Sequence, residues 1–424
     1  SSDLMRWDIM AMKIEIEKKY YCKNEEKLVM LLEKKGLKKI SSELEKDEYF
    51  TDIDSEYIKN RTCLRLRETD DSLTLTFKGK SMEFGNAYAK VENDITLKKD
   101  EYNNIHKILS SLEFCSYTIV NKQRLTYTKR EKDYVFNVMI DVVDEIGGFV
   151  EFELLCYQES YDLNLLKKKL DSFIRQFNEI EFEEASLPYR DFMAQALYNK
   201  IISNSIPTAL LIDFDGTLVD TEKTFFNSFK KVLQDKYNVE INYYDYKKNE
   251  LEKNAELINS LKRSGRIDKT EPLNTIMDYV YKEYKKQLSL AITSNEEILN
   301  FKLLKRLKQK GMKLGLVSTS KKEYIDIILN KLNSNDLFDV IIARENVDKL
   351  KPEPDAYFNA MKLLELNENE CIALEDSKRG IKSAIEAGIK TIQVDGFTKD
   401  NENYYSVPRI DKISRLILIL INNL

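Results

Sequence analysis

The sequence has 424 residues, of which 42% are hydrophobic and 33% are charged, and its formal net charge is −5. At roughly 100–200 residues per domain, this length predicts two or three domains. The slight negative charge gives no reason to expect nucleic acid or a membrane surface as a partner, and no stretch has the roughly 20 apolar residues that cross a bilayer.

The cysteine and histidine counts exclude several kinds of site. The five cysteines are odd in number and form no CxxC pair, so they indicate neither a disulfide framework nor a thiolate zinc site, and we expect a cytoplasmic protein. The one histidine, His106, lies in an amphipathic segment where we expect a solvated helix-surface position. Ser-His-Asp and Cys-His catalysis are therefore excluded, and any metal must have oxygen ligands, as Mg²⁺, Mn²⁺ or Ca²⁺ prefer.

From residue 13 to about residue 155, the chain contains short segments with alternating character. Segments such as "IEIEKKYY", "TCLRLRET", "SLTLTFKG" and "GFVEFELL" have the period of two that is typical of strands, and two helical patterns interrupt them. On one strand, the charged positions would be the ordinary solvent face of an antiparallel sheet. Six strands that repeat the pattern instead favour a barrel whose charged face surrounds a central space.

The opening pattern Glu15-x-Glu17-x-Lys19 resembles the ExExK signature of the CYTH, or triphosphate tunnel metalloenzyme, family, which includes class IV adenylyl cyclases and thiamine triphosphatases. "LRLRE", "LTFKG", "KQRLTY" and "GGFVEFEL" follow in the family's order, so the resemblance covers about residues 13 to 190. It implies an α+β domain over residues 12–200, built on an antiparallel tunnel β-barrel.

The resemblance also implies two sets of site residues. The carboxylates that would hold Mg²⁺ or Mn²⁺ are Glu15, Glu17, Glu151 and Glu153, with Glu92 and Asp94 as additional candidates. The cations that would bind a triphosphate are Lys19, Arg65, Arg67, Lys78, Lys90 and Arg124, and Asp141 matches a further acidic position. Lys90 stands where the family usually has arginine, and Asp94 where it usually has glutamate, so the triphosphate itself stays unassigned.

Three functions stay open for this domain. It can hydrolyse a nucleoside, thiamine or inorganic triphosphate, or it can be an adenylyl cyclase that releases cAMP and pyrophosphate, since both reactions need the same stabilisation of phosphoryl charge. It can also be a non-catalytic triphosphate sensor that regulates the second domain, a phosphatase or phosphomutase. The full carboxylate set favours catalysis, because binding alone needs cations more than acids.

The second half changes to a βα rhythm. A nearly continuous apolar run, "TALLIDFDGTLVD", predicts a strand buried in a parallel sheet, and "KLGLVSTS", "DVIIARE", "CIALEDS" and "KTIQVDG" alternate with helical segments. We place the second domain at residues 207–424. Asp213 and Asp215 follow the first strand, where ligands bind in such sheets.

"DFDGT", "LVSTS", "KPEPD" and "ALEDS" resemble, in this order, the motifs of the haloacid dehalogenase (HAD) family. The resemblance implies a Rossmann-like α/β domain with a helical cap at about residues 221–300. Asp213 would be the nucleophile, Asp215 the general acid and base, Ser318 a hydrogen-bond donor to the phosphoryl group and Lys351 a counter-charge. A Mg²⁺ site would use Asp213, the Asp215 carbonyl, Glu375 and Asp376. The sequence thus predicts a bifunctional, magnesium-dependent phosphohydrolase whose partners are a small triphosphate and a small phosphoester, and it leaves phosphatase or mutase chemistry and the oligomeric state open.

Overall fold

The structure, a computed structural model, describes residues 14–80, 82–84, 87–89, 92–156, 162–202, 206–243, 246, 253–291, 293–397 and 402–424. The chain divides into two structural units, residues 1–200 and 201–424. Within the described ranges, every helix is too short or too polar to span a membrane.

The first unit is an antiparallel sheet with helices. Its strands are β1 (Ile14–Tyr21), β2 (Lys38–Asp52), β3 (Cys63–Glu68), β4 (Leu73–Lys78), β5 (Met82–Phe84), β6 (Ala87–Ala89), β7 (Glu92–Leu97), β8 (Phe114–Glu131), β9 (Tyr134–Val143), β10 (Gly147–Cys156) and β11 (Glu183–Glu184). Its helices are α1 (Glu25–Lys34), α2 (Glu56–Lys59), α3 (Tyr102–Ser111), α4 (Leu163–Ile174) and α5 (Tyr189–Ile202). The period-two segments of the sequence therefore form strands.

The strands follow the order β5-β6-β1-β10-β9-β8-β2-β3-β4-β7, and β11 also pairs with β1. The two ends of this order are β5 and β7, and no pairing between described residues joins them, so the predicted closed barrel is not observed in the described part of the sheet. Side chains from nine of its strands line one cavity, so the sheet is nevertheless strongly curved.

The apolar core of this unit lies on the outer face of the sheet. On β10, Val150, Phe152 and Leu154 are fully buried and belong to the same apolar cluster as residues of α1 and α4. Each such side chain contributes about 1.5–3 kcal/mol through burial. Glu151 and Glu153 alternate with them and therefore point to the opposite face. The outer face thus supplies the apolar burial and the inner face carries the charged side chains.

His106 is not a solvated surface residue, and the structure corrects this prediction. Its Nε2 lies 2.9 Å from Glu48 Oε2, and Tyr102 Oη donates to the same oxygen at 2.6 Å. Tyr102 and His106 are four residues apart on α3 and so share one face of the helix. That face packs on β2, where the ring of Phe50 lies edge-on to the imidazole at 5.2 Å between centroids.

The second unit is a parallel sheet with helices on its faces. Its strands are β12 (Ala209–Ile212), β13 (Lys313–Val317), β14 (Val340–Ile342), β15 (Cys371–Glu375), β16 (Lys390–Val394) and β17 (Arg409–Ile410), in the order β14-β13-β12-β15-β16-β17. The strand order reverses at β12, which is fully buried. Ligands bind at such reversal points, beyond the carboxyl ends of the strands.

The helices of this unit are α6 (Thr221–Tyr237), α7 (Lys253–Arg263), α8 (Leu273–Leu290), α9 (Asn295–Gln309), α10 (Lys322–Lys331), α11 (Asp355–Leu364), α12 (Lys378–Glu386) and α13 (Ile413–Asn423). Helices α6, α7 and α8 have an apolar core of their own, which includes Phe229, Ile258, Ile276 and Val280. They follow β12 in the chain, at the carboxyl end where ligands bind.

Candidate active sites

The charged face of the first unit surrounds a cavity of about 520 Å³. The predicted site residues that line it are Glu15, Glu17, Lys19, Arg65, Arg67, Lys78, Asp94, Arg124, Glu151 and Glu153. Two other predicted residues are outside the described part of the structure: all of Lys90 and the side chain of Glu92. We call this cavity the tunnel cavity.

Strand register explains why the acids and cations meet. Across β1 and β10, Glu17 lies opposite Glu153, and Lys19 lies opposite Glu151. Directly opposite residues of an antiparallel pair point to the same face. The Lys19 ammonium is 3.1 Å from Glu151, and the Asn137 amide donates to Glu153 at 2.6 Å.

Arg124 lies at the centre of a charged cluster. Its Nε and Nη2 donate to the two oxygens of Asp141 at 2.7 and 2.5 Å, and Nη2 also donates to Glu151 at 2.6 Å. Tyr189 Oη donates to Asp141 at 2.7 Å, and the Tyr189 ring lies 3.7 Å below the Lys19 ammonium. Asp141 is fully buried, so it orients Arg124 from behind the cavity wall.

Asp47 has the same role for the cations of β3 and β8. It is fully buried and accepts from Arg67 Nε and Nη2 at 2.6 and 2.8 Å and from Lys122 Nζ at 2.8 Å. Burial alone would raise the pKa of Asp47, but Lys122, Arg65 and Arg67 outweigh it and hold the pKa well below its usual range. Asp47 therefore carries a stable negative charge that fixes these cations.

The predicted site residues did not include Asp47, Lys122 or Tyr189. Lys122 alternates with Arg124 on β8, so its place on the charged face was visible in the sequence. Asp47 alternates with Glu45 in the same way on β2. Tyr189 gave no such signal, because it follows the strands and begins α5.

In the second unit, Asp213 and Asp215 follow β12 at the strand-order reversal. A tight turn places them: the Gly216 amide donates to the Val219 carbonyl at 2.8 Å, and Gly216 has a φ of +87°. A Cβ on Gly216 would lie 2.1 Å from Asp376 Oδ2. Glycine is therefore required here both for its φ and for the close approach of Asp376.

Lys351 joins three strands of the sheet. Its ammonium donates to Asp213 Oδ1 at 2.7 Å, to Glu375 Oε1 at 2.6 Å and to the Val317 carbonyl at 2.8 Å. Glu375 also accepts from Tyr357 Oη at 2.6 Å. Lys351 thus offsets negative charge at both Asp213 and Glu375.

The acids beside Lys351 form a group suited to a divalent cation. Oxygens of Asp213, Glu375 and Asp376 all lie within 4.8 Å of one another, and within the described part of the chain this is the one such group of three. Burial and the charge of Glu375 raise the pKa of Asp213 to about 7, and burial with the charge of Asp213 raises the pKa of Asp376. Oxygen ligands and mutual repulsion fit a hard cation such as Mg²⁺.

Asp215 is held by two hydroxyl groups. Thr221 Oγ1 donates to Asp215 Oδ1 at 2.6 Å, and Ser318 Oγ donates to Asp215 Oδ2 at 2.9 Å. The sequence assigned Ser318 to a phosphoryl oxygen, but in the structure its hydroxyl is buried and bonded to Asp215. Its neighbours Thr319 and Ser320 line the adjacent cavity instead. Thr221 was not among the predicted site residues.

A cavity of about 570 Å³ lies beside these groups, and we call it the phosphoester cavity. Asp213, Asp215, Lys351 and Asp376 line one end. Helices α6, α7 and α8 contribute other lining side chains, including Phe225, Asn254 and Tyr281. Four of the predicted residues therefore meet at one cavity, while Glu375 is buried behind Lys351 and Ser318 is buried beside Asp215.

The sheet order, the turn after β12 and the acids at β15 are typical of a phosphatase-type hydrolase. A model of the family "Haloacid dehalogenase-like hydrolase" matches residues 210–394, and a model of the CYTH domain matches residues 13–186. The chain belongs to the haloacid dehalogenase-like hydrolases through its second half and carries a CYTH domain in its first half.

Several relatives match the second half alone. A protein from Caldanaerobacter subterraneus that carries the name PpaX is 31% identical over 193 residues, which are 44% of this chain and 81% of the relative. Pyrophosphatase PpaX of Bacillus anthracis is 26% identical over 219 residues, which are 50% of this chain and 95% of the relative.

Solved structures are also similar to half of the chain. CbbY from Rhodobacter sphaeroides in complex with phosphate is 23% identical and covers 50% of this chain and 96% of its own, with a TM-score of 0.43. β-Phosphoglucomutase from Clostridium difficile is 23% identical and covers 51% and 98%, with a TM-score of 0.38.

Proposed function

We propose that the chain is a bifunctional metal-dependent phosphohydrolase. The phosphoester cavity would remove a phosphoryl group from a small phosphoester, and the tunnel cavity would hydrolyse a triphosphate. The observation that carries the first activity is the contact of Lys351 with Asp213 beside the three-acid group. Domain boundaries at residues 12–200 and 207–424, with a cap at about 221–300, form part of this proposal.

The first step at the phosphoester cavity is nucleophilic attack. Lys351 binds Asp213 Oδ1, and Oδ2 accepts only a longer hydrogen bond of 3.2 Å from Thr217, so we assign the attack on phosphorus to Oδ2. The new bond is an aspartyl phosphate, and the bond that breaks joins phosphorus to the ester oxygen. Asp215 donates a proton to that leaving oxygen.

The second step restores the enzyme. Asp215, now ionised, takes a proton from water, and the resulting hydroxide attacks the aspartyl phosphate and releases orthophosphate and free Asp213. Ser318 and Thr221 keep the Asp215 carboxylate in place through both steps. A Mg²⁺ held by Asp213, Glu375, Asp376 and the Asp215 carbonyl would supply further compensation of phosphoryl charge.

The tunnel cavity suits a polyanion. Lys19, Arg65, Arg67, Lys78 and Arg124 line it and would bind phosphate oxygens, the arginines in a bidentate manner. Glu15, Glu17, Glu151 and Glu153 line the same cavity and would hold Mg²⁺ or Mn²⁺. Lys90, Glu92 and Asp94 remain predicted participants.

A second candidate exists for the second unit. Relatives of 26–31% identity that match it are named PpaX, and the Bacillus anthracis protein is called a pyrophosphatase. Inorganic pyrophosphate would be cleaved by the same attack of Asp213, with orthophosphate as the leaving group. A cyclase reaction in the tunnel would supply that substrate.

Phosphorus NMR of reaction products tests both activities. The full chain, Asp213→Asn and Glu17→Gln are each incubated with ATP, thiamine triphosphate or tripolyphosphate and Mg²⁺ or Mn²⁺. We expect Asp213→Asn to release orthophosphate from a triphosphate and Glu17→Gln to lose this activity. Pyrophosphate with a cyclic nucleotide would instead establish a cyclase, and binding without turnover would establish a sensor.

The phosphoester activity is tested with the same three proteins. We expect the unaltered chain and Glu17→Gln to hydrolyse phosphomonoesters, and Asp213→Asn to be inactive. Phosphomonoester hydrolysis that survives in Asp213→Asn would refute the assignment of the nucleophile.

A further inference from the structure

Aromatic side chains of the cap helices and of α10 line much of the phosphoester cavity. Phe225 on α6, Tyr281 and Tyr284 on α8, and Tyr324 on α10 all line the cavity, and we call them the aromatic wall. The rings form a connected set: Phe225 meets Tyr284 edge-on at 5.1 Å, and Tyr284 meets Tyr324 edge-on at 5.2 Å. Tyr281 and Tyr324 are nearly parallel, at 22° and 6.4 Å.

Two polar groups accompany the aromatic wall. The Lys321 ammonium lies 5.5 Å from the ring centre of Tyr281 and 5.9 Å from that of Tyr324. Asn254, at the start of α7, also lines the cavity, and its side-chain oxygen is buried without a hydrogen-bond partner. A buried amide oxygen of this kind costs free energy unless a ligand donates to it.

We propose that the phosphoester cavity takes phosphomonoesters that carry a planar heteroaromatic group, of the nucleoside monophosphate type. The phosphoryl group would lie at Asp213, the base would stack on the aromatic wall, and Asn254 would bind an N–H group on the edge of the base. Asparagine pairs well with nucleobases because its carboxamide offers one acceptor and two donors in one plane. This inference rests on the proposed phosphatase function of the second unit.

The chemistry of the wall disfavours the smaller substrates. The cations Lys321, Arg344 and Arg379 also line the cavity and would bind the anionic groups of either substrate, so the distinction rests on the four rings, which offer pyrophosphate no hydrogen-bond donors beyond the phenolic hydroxyls. A cavity of about 570 Å³ lies within the roughly 300–1,000 Å³ that is usual for organic ligands and has room beyond a phosphoryl group. Any nucleobase can stack on such rings, whatever its pattern of hydrogen-bond donors and acceptors, because every base has a π-face.

Phosphate release from matched substrates tests the inference. The full chain with Mg²⁺ is assayed with the four nucleoside 5′-monophosphates, with ribose 5-phosphate, which lacks only the base, and with pyrophosphate. We expect kcat/KM for the best nucleotide to exceed that for ribose 5-phosphate by at least tenfold. Tyr281→Leu should lower this ratio by about fivefold to 150-fold, the range that corresponds to about 1–3 kcal/mol for one stacked base.

Matched variants separate stacking from general damage. Tyr279→Leu alters a tyrosine two residues away on α8 that is 37% exposed and lies outside the cavity, and we expect it to keep the ratio. Asn254→Leu should reduce the preference among the four nucleotides by at least fivefold. A ratio near one in the unaltered chain, a preference for pyrophosphate, or an unchanged ratio in Tyr281→Leu would each overturn the inference while phosphatase activity stands.

A binding measurement keeps the two proposals distinct. Adenosine monophosphate and ribose 5-phosphate are titrated by calorimetry into Asp213→Asn and into Asp213→Asn/Tyr281→Leu. The difference between these two proteins reports the second unit, whatever the tunnel cavity binds. Tighter binding of the nucleotide by Asp213→Asn, lost in the double variant, supports the inference. This holds even if the unaltered chain hydrolyses no phosphoester, since that result would refute the phosphatase function alone. Equal binding of the two ligands overturns the inference.

Discussion

Replacement of Glu48 by glutamine should destabilise the first unit in a way that depends on pH. Glu48 is 2% exposed and accepts hydrogen bonds from Tyr102 and His106. Burial would raise its pKa, but the hydrogen bonds from His106, Ser116 and Tyr102 and the charge interaction with His106 outweigh this and lower the pKa to about 2. Glutamine keeps the shape of the side chain and removes the charge.

The size of the effect follows from the lowered pKa. A carboxylate whose pKa is lower in the folded state stabilises the fold above the unfolded pKa, and this stability is lost as pH falls through the folded pKa. With 1.36 kcal/mol per pKa unit, a shift from about 4.5 to about 2 contributes about 3 kcal/mol at pH 6 and about 1.4 kcal/mol at pH 3. Glu48→Gln should therefore lose about twice as much unfolding free energy at pH 6 as at pH 3.

The assay must report the first unit within the full chain. Samples are equilibrated in urea at each pH and pulse-labelled by hydrogen exchange, and unfolding is followed in peptides from β2 and α3. Glu43→Gln, an exposed glutamate on the same strand, is the control and should change stability by less than about 0.5 kcal/mol. An equal loss of unfolding free energy in Glu48→Gln at pH 6 and pH 3 would refute the reasoning, because the hydrogen-bond donors would then not stabilise the charged form of Glu48.

Three further substitutions test the buried charges. Asp47→Asn leaves buried cations without their shared partner, so the first unit should lose about 3–5 kcal/mol of unfolding free energy, measured by the same exchange assay. Lys351→Met leaves clustered acids unpaired, so the second unit should lose a similar amount of unfolding free energy. Added Mg²⁺ should raise the melting temperature of this variant more than that of the unaltered chain, and equal Mg²⁺ responses would contradict this. Gly380→Ala places a Cβ 1.9 Å from Glu375 Oε2, so phosphatase activity should fall at least tenfold. Gly265→Ala strains a φ of +72° but meets no atom within 4 Å, so it should not affect this activity; equal activities would contradict the clash.

The periodicity of the sequence predicted most of the secondary structure. Segments of period two formed the antiparallel strands, and apolar runs such as "ALLI" formed the parallel ones, because local side-chain alternation follows from the backbone of a strand. Closure of a sheet depends on pairing between its two end strands, β5 and β7, which sequence periodicity does not specify. That part of the prediction therefore went beyond what the alternation can support.

The candidate sites show the same limit. Residues that belong to one strand pattern or one motif, such as Glu17 or Asp213, were placed at cavities because their neighbours fix the face on which they lie. Tyr189 reaches the tunnel cavity from a helix that starts far along the chain, and Thr221 reaches Asp215 from the first turn of α6. Such residues reach the candidate sites only through tertiary contacts, which the local sequence pattern does not specify. Likewise, the partner of Ser318 depends on the position of Asp215 across two strands.

The acids of the first unit fall into two kinds, and the distinction bears on how the tunnel cavity can bind a polyanion. Asp47 and Asp141 are fully buried and each binds an arginine through Nε and Nη2. A guanidinium has five N–H donors, so these bonds fix one edge of Arg67 and Arg124 and leave donors on the other for a ligand in the cavity. Glu17, by contrast, lines the cavity itself. Under the proposed function, a bound triphosphate would use the arginines without displacing their buried partners, and a divalent cation entering with it would offset the repulsion from the cavity glutamates.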